Sequence, residues 1–282
     1  MEIKKAIITA AGSNQRTLPL QAFIDRDGAQ RTALGILIEE VVSAGVEEMA
    51  VIVHAGDAEN YRSAVDAHDG RVRFIEQAEP LGYGHAVSLG APFVGDGPFL
   101  LLVGDHLAIS GTSVSCAKQL IQAAAAEDCA VSSVQATHER LLHAYGVVGG
   151  NPLPGKPGLF SVETVIEKPT PTEAEQRLMV PGLRAGYYLC FFGMHVLTPT
   201  LMGILSDLMR EAGDARRAHL SEALATLGGR ERYLAFEVQG SRYDIGARHG
   251  LLTAQLALAL EGRDRDEVLT MLVELLARER RG

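Results

Sequence analysis

Apolar residues come in two textures along this chain, short unbroken runs and clusters repeating at three and four. Ala6–Thr9, Met49–His54 and Phe99–Val103 are unbroken runs, and Val72–Ile75 is a short run interrupted by Arg73, each giving way to small or polar residues. Such runs read as strands buried on both faces. Between the first two, Leu34, Leu37, Ile38, Val41 and Val42 fall at helical spacing within Thr32–Ala44, with Gly45 as the stop, and Gly56–Asp66 also reads as helix. Alternation of strand and helix predicts a parallel sheet with right-handed crossovers, whose ligands lie beyond the carboxyl ends of the strands.

The second half continues the alternation less cleanly. Ser113–Glu127 is an Ala-rich helix, and Ala130–Gln135 a strand. Texture changes at His143–Gly150, HAYGVVGG, and a Pro- and Gly-rich stretch, 151–158, precedes a strand at Leu159–Ile166. Thr172–Leu178 is a short acidic helix, Tyr187–Val196 a long strand containing Gly193, and Thr198–Met209 and Leu220–Leu227 are helices. A strand at Tyr233–Val238 leads into the turn-like Gly240–Gly246. Helices at Gly250–Leu260 and Asp266–Arg278 carry apolar residues at three and four, which predicts packing on the sheet or on a second subunit. There is no repeat and no low-complexity linker. One domain is expected over 1–282, with halves of about 1–110 and 111–250 and terminal helices over 250–282.

Composition narrows the function. At 282 residues and 47% hydrophobic content, a sizeable core is available. A formal net charge of -9 opposes non-specific binding to nucleic acid but leaves room for a local basic pocket. Three scattered cysteines, Cys116, Cys129 and Cys190, suit a reducing compartment such as the cytoplasm and core packing, not a zinc site. The apolar run after Lys4 and Lys5 is too short for a secretory signal, and no stretch reaches membrane-spanning length.

Candidate chemistry gathers at strand ends. Ala11, Gly12 and Ser13 follow the first run, with Arg16 just beyond. Small residues there let backbone N–H groups approach an anion, and an arginine can fork onto phosphate oxygens; an ordinary small-residue loop is the equally plain alternative. Gln77 ends the third strand ahead of Gly82-Tyr83-Gly84, a place where an amide can read a nucleobase edge, although a plain helix start explains it as well. Asp105, ending the central run, suits Mg2+, which binds one or two carboxylates plus substrate phosphates. His106 reads better as a supporting or packing residue, since hard Mg2+ prefers oxygen. Glu167 and Lys168 end a later strand, either as sugar and phosphate contacts or as a solvated turn. Gly193 inside its strand marks close approach by a ligand or another backbone. Asp244 is a second lone carboxylate in the Gly240–Gly246 turn.

Seven motifs, AAGSNQRTLP, EQAEPLGYGHAV, LLLVGDH, AYGVVGG, VIEKP, FFGMHVLTP and RYDIG, occur in order between Lys5 and Leu260. In that order and spacing the chain resembles bacterial sugar-1-phosphate nucleotidyltransferases, most of all their uridylyltransferase branch. The resemblance implies an α/β fold of the nucleotide-diphospho-sugar transferase type, a Rossmann-like, mixed but mainly parallel sheet flanked by helices. It implies that a sugar-1-phosphate, glucose-1-phosphate first, attacks the α-phosphorus of a nucleoside triphosphate, UTP first, and releases pyrophosphate. Carried over residue by residue, nucleotide contacts fall on Ala11, Gly12, Ser13, Gln77 and Gly82, and sugar-phosphate contacts on Gly146, Glu167, Lys168 and Gly193. Metal carboxylates fall on Asp105 and Asp244, and Arg16, Asp105 and Lys168 are the implied catalytic set with Mg2+. Asp105 and Asp244 are expected within reach of one ion because each ends an apolar strand at the same sheet edge. A homo-oligomer is expected.

One departure stands out. The family's first motif runs Gly-x-Gly-Thr-Arg and is followed, after a proline, by a segment whose lysine contacts the triphosphate. Here Asn14 and Gln15 replace glycine and threonine, and the chain passes from Pro19 through Gln21 and Ala22 straight to Ile24–Gly28. Arg26 and Arg31 are the mobile substitutes on offer, and Arg16 the one fixed by the turn. Without the lysine, a non-catalytic relative that senses nucleotide sugars is the competing reading. A Rossmann dehydrogenase is excluded further, since no Gly-x-Gly-x-x-Gly opens the chain.

Overall fold

The computed structural model describes residues 1–12, 16–212 and 219–279. β1 (Lys5–Thr9) is followed by a hairpin of β2 (Ala22–Ile24) and β3 (Gln30–Thr32), then α1 (Ala33–Ser43), β4 (Glu48–His54), α2 (Ala58–Arg62) and β5 (Val72–Gln77). Two short helices, α3 (Tyr83–Ser88) and α4 (Ala91–Val94), precede β6 (Phe99–Val103), β7 (His106–Ser110), α5 (Cys116–Glu127) and β8 (Ala130–His138). β9 (Gly146–Pro152), β10 (Leu159–Glu167), α6 (Pro171–Arg177) and β11 (Tyr187–Leu197) come next. Last are α7 (Pro199–Ala212), α8 (Leu220–Arg230), β12 (Tyr233–Glu237), β13 (Gly240–Asp244), α9 (Gly250–Leu260) and α10 (Arg265–Glu279).

Nine strands form one mixed sheet in the order β5-β4-β1-β6-β11-β8-β12-β10-β9, with β9 also bonding back to β11. Parallel pairing runs through β5-β4-β1-β6 and returns at β8-β12, whereas β11, β10 and β9 run against their neighbours. Ile7 and Ile8 of β1 are fully buried on opposite faces, one in each of the two large apolar clusters flanking the sheet. Each such side chain contributes roughly 1.5–3 kcal/mol by leaving water. That double burial is why the sequence shows unbroken runs instead of alternation.

Local signals set the helix starts. The Thr32 Oγ1 accepts from the Gly35 N–H at 3.0 Å to cap α1, and Thr170 with Glu173 forms a reciprocal capping box on α6. Gly56–Asp66, expected as one helix, is only α2 followed by irregular turns. The capping position is Asp57, whose carboxylate is taken by Arg16 and makes no cap bond. β2, β3, β7, β9 and β13 were not expected as strands. The Gly240–Gly246 turn in particular carries β13, which pairs antiparallel with β7 in a separate two-stranded ribbon, Asp244 opposite His106. α9 packs on β13, β2 and β7, and α10 packs on α9, not on the sheet. α10 leaves Met271, Val273, Leu275 and Leu276 exposed.

Candidate active site

The residues expected to contact nucleotide begin where β1 ends. Ala11 is buried and Gly12 exposed, while Ser13 lies outside the described residues. Arg16 faces Asp57, its Nε donating to Oδ2 at 2.6 Å and its Nη2 to Oδ1. The same pairing holds the Asp57 carboxyl below the usual carboxylate range. The Tyr61 hydroxyl donates to the Arg16 carbonyl, so the residue is gripped at both backbone and side chain. At the end of β5 the buried Gln77 donates through Nε2 to the Gly82 carbonyl at 3.3 Å and to His85 Nδ1 at 2.9 Å. Gln77 and Gly82 are therefore in direct contact, and Gly82 holds a φ of +106° ahead of α3.

Three potential ligands converge. One ligand atom each from Asp105, His106 and Asp244 lies within 4.8 Å of the others. Asp105 sits in the turn between β6 and β7, and its Oδ1 accepts from His106 Nδ1 at 2.8 Å. Burial pushes the Asp105 carboxyl up, but the hydrogen bond and charge of His106 outweigh it and leave the group below its ordinary range. Asp244 Oδ1 accepts from the Gly246 and Ala247 N–H groups at 2.9 and 3.1 Å. Two carboxylates this close fit a hard divalent ion that takes its remaining ligands from phosphates and water. The two aspartates do not meet as ends of apolar strands on one sheet edge. Asp244 arrives on β13, and it is the pairing of the β7–β13 ribbon that sets it opposite His106.

The residues expected to contact the sugar phosphate lie on or next to β9, β10 and β11. Gly146 opens β9 opposite Glu167 at the end of β10. A Cβ at Gly146 would stand 2.8 Å from Phe191 Cδ2 and 3.0 Å from Glu167 Oε2, so only glycine lets these walls approach. Lys168 is exposed, adopts a left-handed φ of +47° and donates its N–H to the Tyr145 carbonyl at 3.0 Å. Gly193 lies where the β11–β8 register shifts between Phe191 and His195, at a φ of +100°. A cavity of about 150 Å³ opens among these strands. His106 of the acidic cluster lines it together with Gly146, Glu167 and Gly193. Arg16, Gln77, Gly82 and Lys168 do not line this cavity.

Arg26 and Arg31 are not mobile. Arg26 Nη2 donates to the Ser110 carbonyl at 2.8 Å, at the far end of β7 and roughly 13 Å of strand from His106. Arg31 is paired with Asp25 at 2.6 Å and Glu39 at 3.2 Å.

The cavity also holds residues that sequence reasoning passed over. Tyr83 lines it, and its buried hydroxyl has no hydrogen-bond partner among the described residues. Burial raises its pKa, and Asp105 and Glu167 add to the rise. His195 lines it as well, buried, with Nδ1 2.6 Å from Ser132 Oγ, which in turn meets the Tyr233 hydroxyl. A histidine inside an otherwise apolar run was the available signal for the second. Nothing in the sequence marked the first beyond its neighbour Gly82.

A family model described as nucleotidyl transferase matches residues 5–261. The chain belongs to that family. The UTP–glucose-1-phosphate uridylyltransferase of Streptococcus pneumoniae serotype 4 is 27% identical, over 97% of this chain and 96% of that protein. The Bacillus subtilis protein of the same name is 26% identical, over 99% of each. Among solved structures, a UDP-glucose pyrophosphorylase complexed with UDP-glucose matches with a TM-score of 0.73 and 24% identity, covering 91% of this chain and 98% of that one. A UTP-bound UGPase from Acinetobacter baumannii matches with a TM-score of 0.74 and 24% identity, over 97% and 100%. These likenesses establish the nucleotide-diphospho-sugar transferase fold. Among the described residues no helix is long and apolar enough to cross a membrane.

Proposed function

We propose that this nucleotidyl transferase joins UTP and glucose-1-phosphate to give UDP-glucose and pyrophosphate in the cytoplasm, with Mg2+ held by Asp105 and Asp244. The observation that carries the reading is the cavity that His106 of the acidic cluster lines together with Gly146, Glu167 and Gly193. A sugar phosphate there has its phosphate next to the cation site, as in-line attack on an α-phosphorus requires. When bound, the ion supplies charge neutralisation to the phosphates. No nucleophile from the protein is needed, because the attacking atom is a phosphate oxygen of the sugar-1-phosphate and the leaving group is pyrophosphate. Gln77 and Gly82 receive the base, Glu167 accepts from sugar hydroxyls, and Lys168 and Arg16 meet phosphate oxygens with charge-assisted hydrogen bonds. The exposed apolar side of α10 is covered by a second copy in a homo-oligomer, since four large apolar side chains in six residues are costly to leave in water.

Pyrophosphate release across four nucleoside triphosphates and several sugar-1-phosphates tests the proposal. UTP with glucose-1-phosphate and Mg2+ should be the best combination. Chelation of divalent ions, or either Asp105→Asn or Asp244→Asn, should reduce the rate to background. Binding of UDP-glucose by calorimetry without turnover on any pair would overturn catalysis and leave a sensor of nucleotide sugars.

A further inference from the structure

Arg242 has no part in the chemistry just described, yet its environment is unusual. It sits on β13, two residues before Asp244, and is half-buried. No carboxylate pairs with it among the described residues. Its guanidinium instead lies over the Tyr145 ring, 3.6 Å from the centroid. Nη1 donates to the Phe191 carbonyl, and Nη2 reaches Thr137 Oγ1 at 3.4 Å. A half-buried cation that makes no ion pair is a poor way to stabilise a fold, since a neutral side chain of similar volume would avoid the desolvation cost.

What the contacts join is informative. Tyr145 precedes Gly146 in the cavity wall, and Phe191 is two residues before Gly193 in the same wall. The Tyr145 ring also meets the His106 ring edge-on, with centroids 6.3 Å apart, and His106 is hydrogen-bonded to Asp105. From Arg242 one chain of contacts therefore runs through Tyr145 and His106 to Asp105, and the backbone of β13 runs directly to Asp244. Four separate strands, β13, β11, β8 and β9, meet at or beside one guanidinium.

We infer that Arg242 is a positioning residue that fixes the two cation-binding aspartates relative to the sugar-phosphate wall, acting through Tyr145. The inference rests on the function proposed above. A planar guanidinium can stack on a ring while its N–H groups hold a carbonyl and a hydroxyl; an ammonium cannot do all three. Arg242→Lys should therefore raise the KM for glucose-1-phosphate and the Mg2+ concentration for half-maximal rate, each by about tenfold, the scale of a small misplacement in an aligned site. The KM for UTP should change less than about twofold, because Gln77 and Gly82 belong to other elements. Tyr145→Leu should give the same pattern, and the double variant should be no worse than the poorer single one, since both remove one contact.

Equal changes in both substrate constants, a fall in melting temperature with all constants unchanged, or effects that multiply in the double variant would each overturn the assignment. Should Arg242→Lys fail to fold, Tyr145→Leu carries the same test. UDP-glucose affinity by calorimetry gives a readout without turnover and should fall about tenfold in both variants on the same argument. A wild-type protein that binds UDP-glucose but releases no pyrophosphate refutes catalysis and leaves this calorimetric test intact. A wild type that does neither overturns both.

Discussion

Two glycines in the cavity wall separate backbone strain from ligand space. Gly193 holds a φ of +100°, and a Cβ there would stand 2.8 Å from Val103 Cγ2. An L-residue forced into that region costs roughly 1–3 kcal/mol. Displacing the Val103 methyl adds about 1 kcal/mol of rotamer or packing strain. Lower entropy of the unfolded chain returns about 0.4–1 kcal/mol to alanine. Gly193→Ala should therefore destabilise by about 1–3 kcal/mol, which for a chain of this size lowers the melting temperature by roughly 2–10 °C. Gly146 has no positive φ, and its added methyl would meet only side chains, Phe191 Cδ2 at 2.8 Å and Glu167 Oε2 at 3.0 Å. Gly146→Ala should thus keep its melting temperature within about 3 °C of wild type, because those side chains can turn into the cavity. That turn fills space meant for the sugar, so its KM for glucose-1-phosphate should rise about tenfold or more. Differential scanning fluorimetry with initial rates reads both effects. A Gly193→Ala protein as stable as wild type would refute the backbone argument. A Gly146→Ala protein with unchanged KM for glucose-1-phosphate would refute the placement of the sugar.

Lys168→Ala should weaken glucose-1-phosphate binding by about tenfold or more while UTP affinity changes less than about twofold, and calorimetry showing equal losses would contradict the division of the site. Arg16→Ala should lower kcat by on the order of 10²–10³, as for loss of a charge aligned to a developing anion, whereas Arg26→Ala, whose side chain is held at Ser110, should change it only severalfold. Arg16→Lys should recover little, because one ammonium cannot hold Asp57 and a phosphate in the guanidinium's geometry. Burial pushes the His195 imidazole down to about 3 from an ordinary 6.5, so between those values the unfolded chain binds a proton that the folded one refuses. Its contribution is fully present above pH 6.5 and is lost as pH falls toward 3, at up to about 1.4 kcal/mol per unit. Urea titrations at pH 7.5, 6 and 5 should show this slope, and His195→Asn should flatten it; an identical slope in the variant would remove His195 as the cause.

The part of the fold that could be read from the sequence is the part where burial alone decides the pattern. β1, β4 and β6 are covered on both faces, and their unbroken runs said so. β7, β9 and β13 exist because neighbouring backbone groups pair them, and pairing leaves little trace in side-chain periodicity. That difference carried into the site. Asp105 followed a legible strand, but the ribbon that delivers Asp244 was read as a turn, so their proximity came from resemblance with the wrong geometric reason attached. Tyr83, Tyr145 and His195 were not singled out as site residues because an aromatic beside a glycine, or a histidine in an apolar run, is more often core than cavity. The helix expected at Gly56–Asp66 starts after Asp57, which bonds Arg16 instead of capping it, and ends already at Arg62.

The bond between Asp57 and Arg16 bears on the missing lysine. Of the three arginines between Arg16 and Arg31, Arg31 is neutralised by Asp25 and Glu39, and Arg26 is turned toward Ser110. Arg16 remains, and its pairing with Asp57 does not remove it from the account. The bond to Asp57 uses Nε and one N–H direction of Nη2, a single edge of the guanidinium. The remaining donors, on Nη1 and the far side of Nη2, form a second edge that can meet phosphate oxygens while the first stays in place. Asp57 thus costs Arg16 part of its net charge but fixes its plane, and the Tyr61 bond to its carbonyl fixes the backbone beneath. A lysine reached by a flexible segment supplies full charge and must be ordered on each binding event; a clamped arginine supplies less and is already ordered. On the proposed function the chain would use the second arrangement, and its turnover with UTP would measure how far preorganisation offsets the lysine's charge.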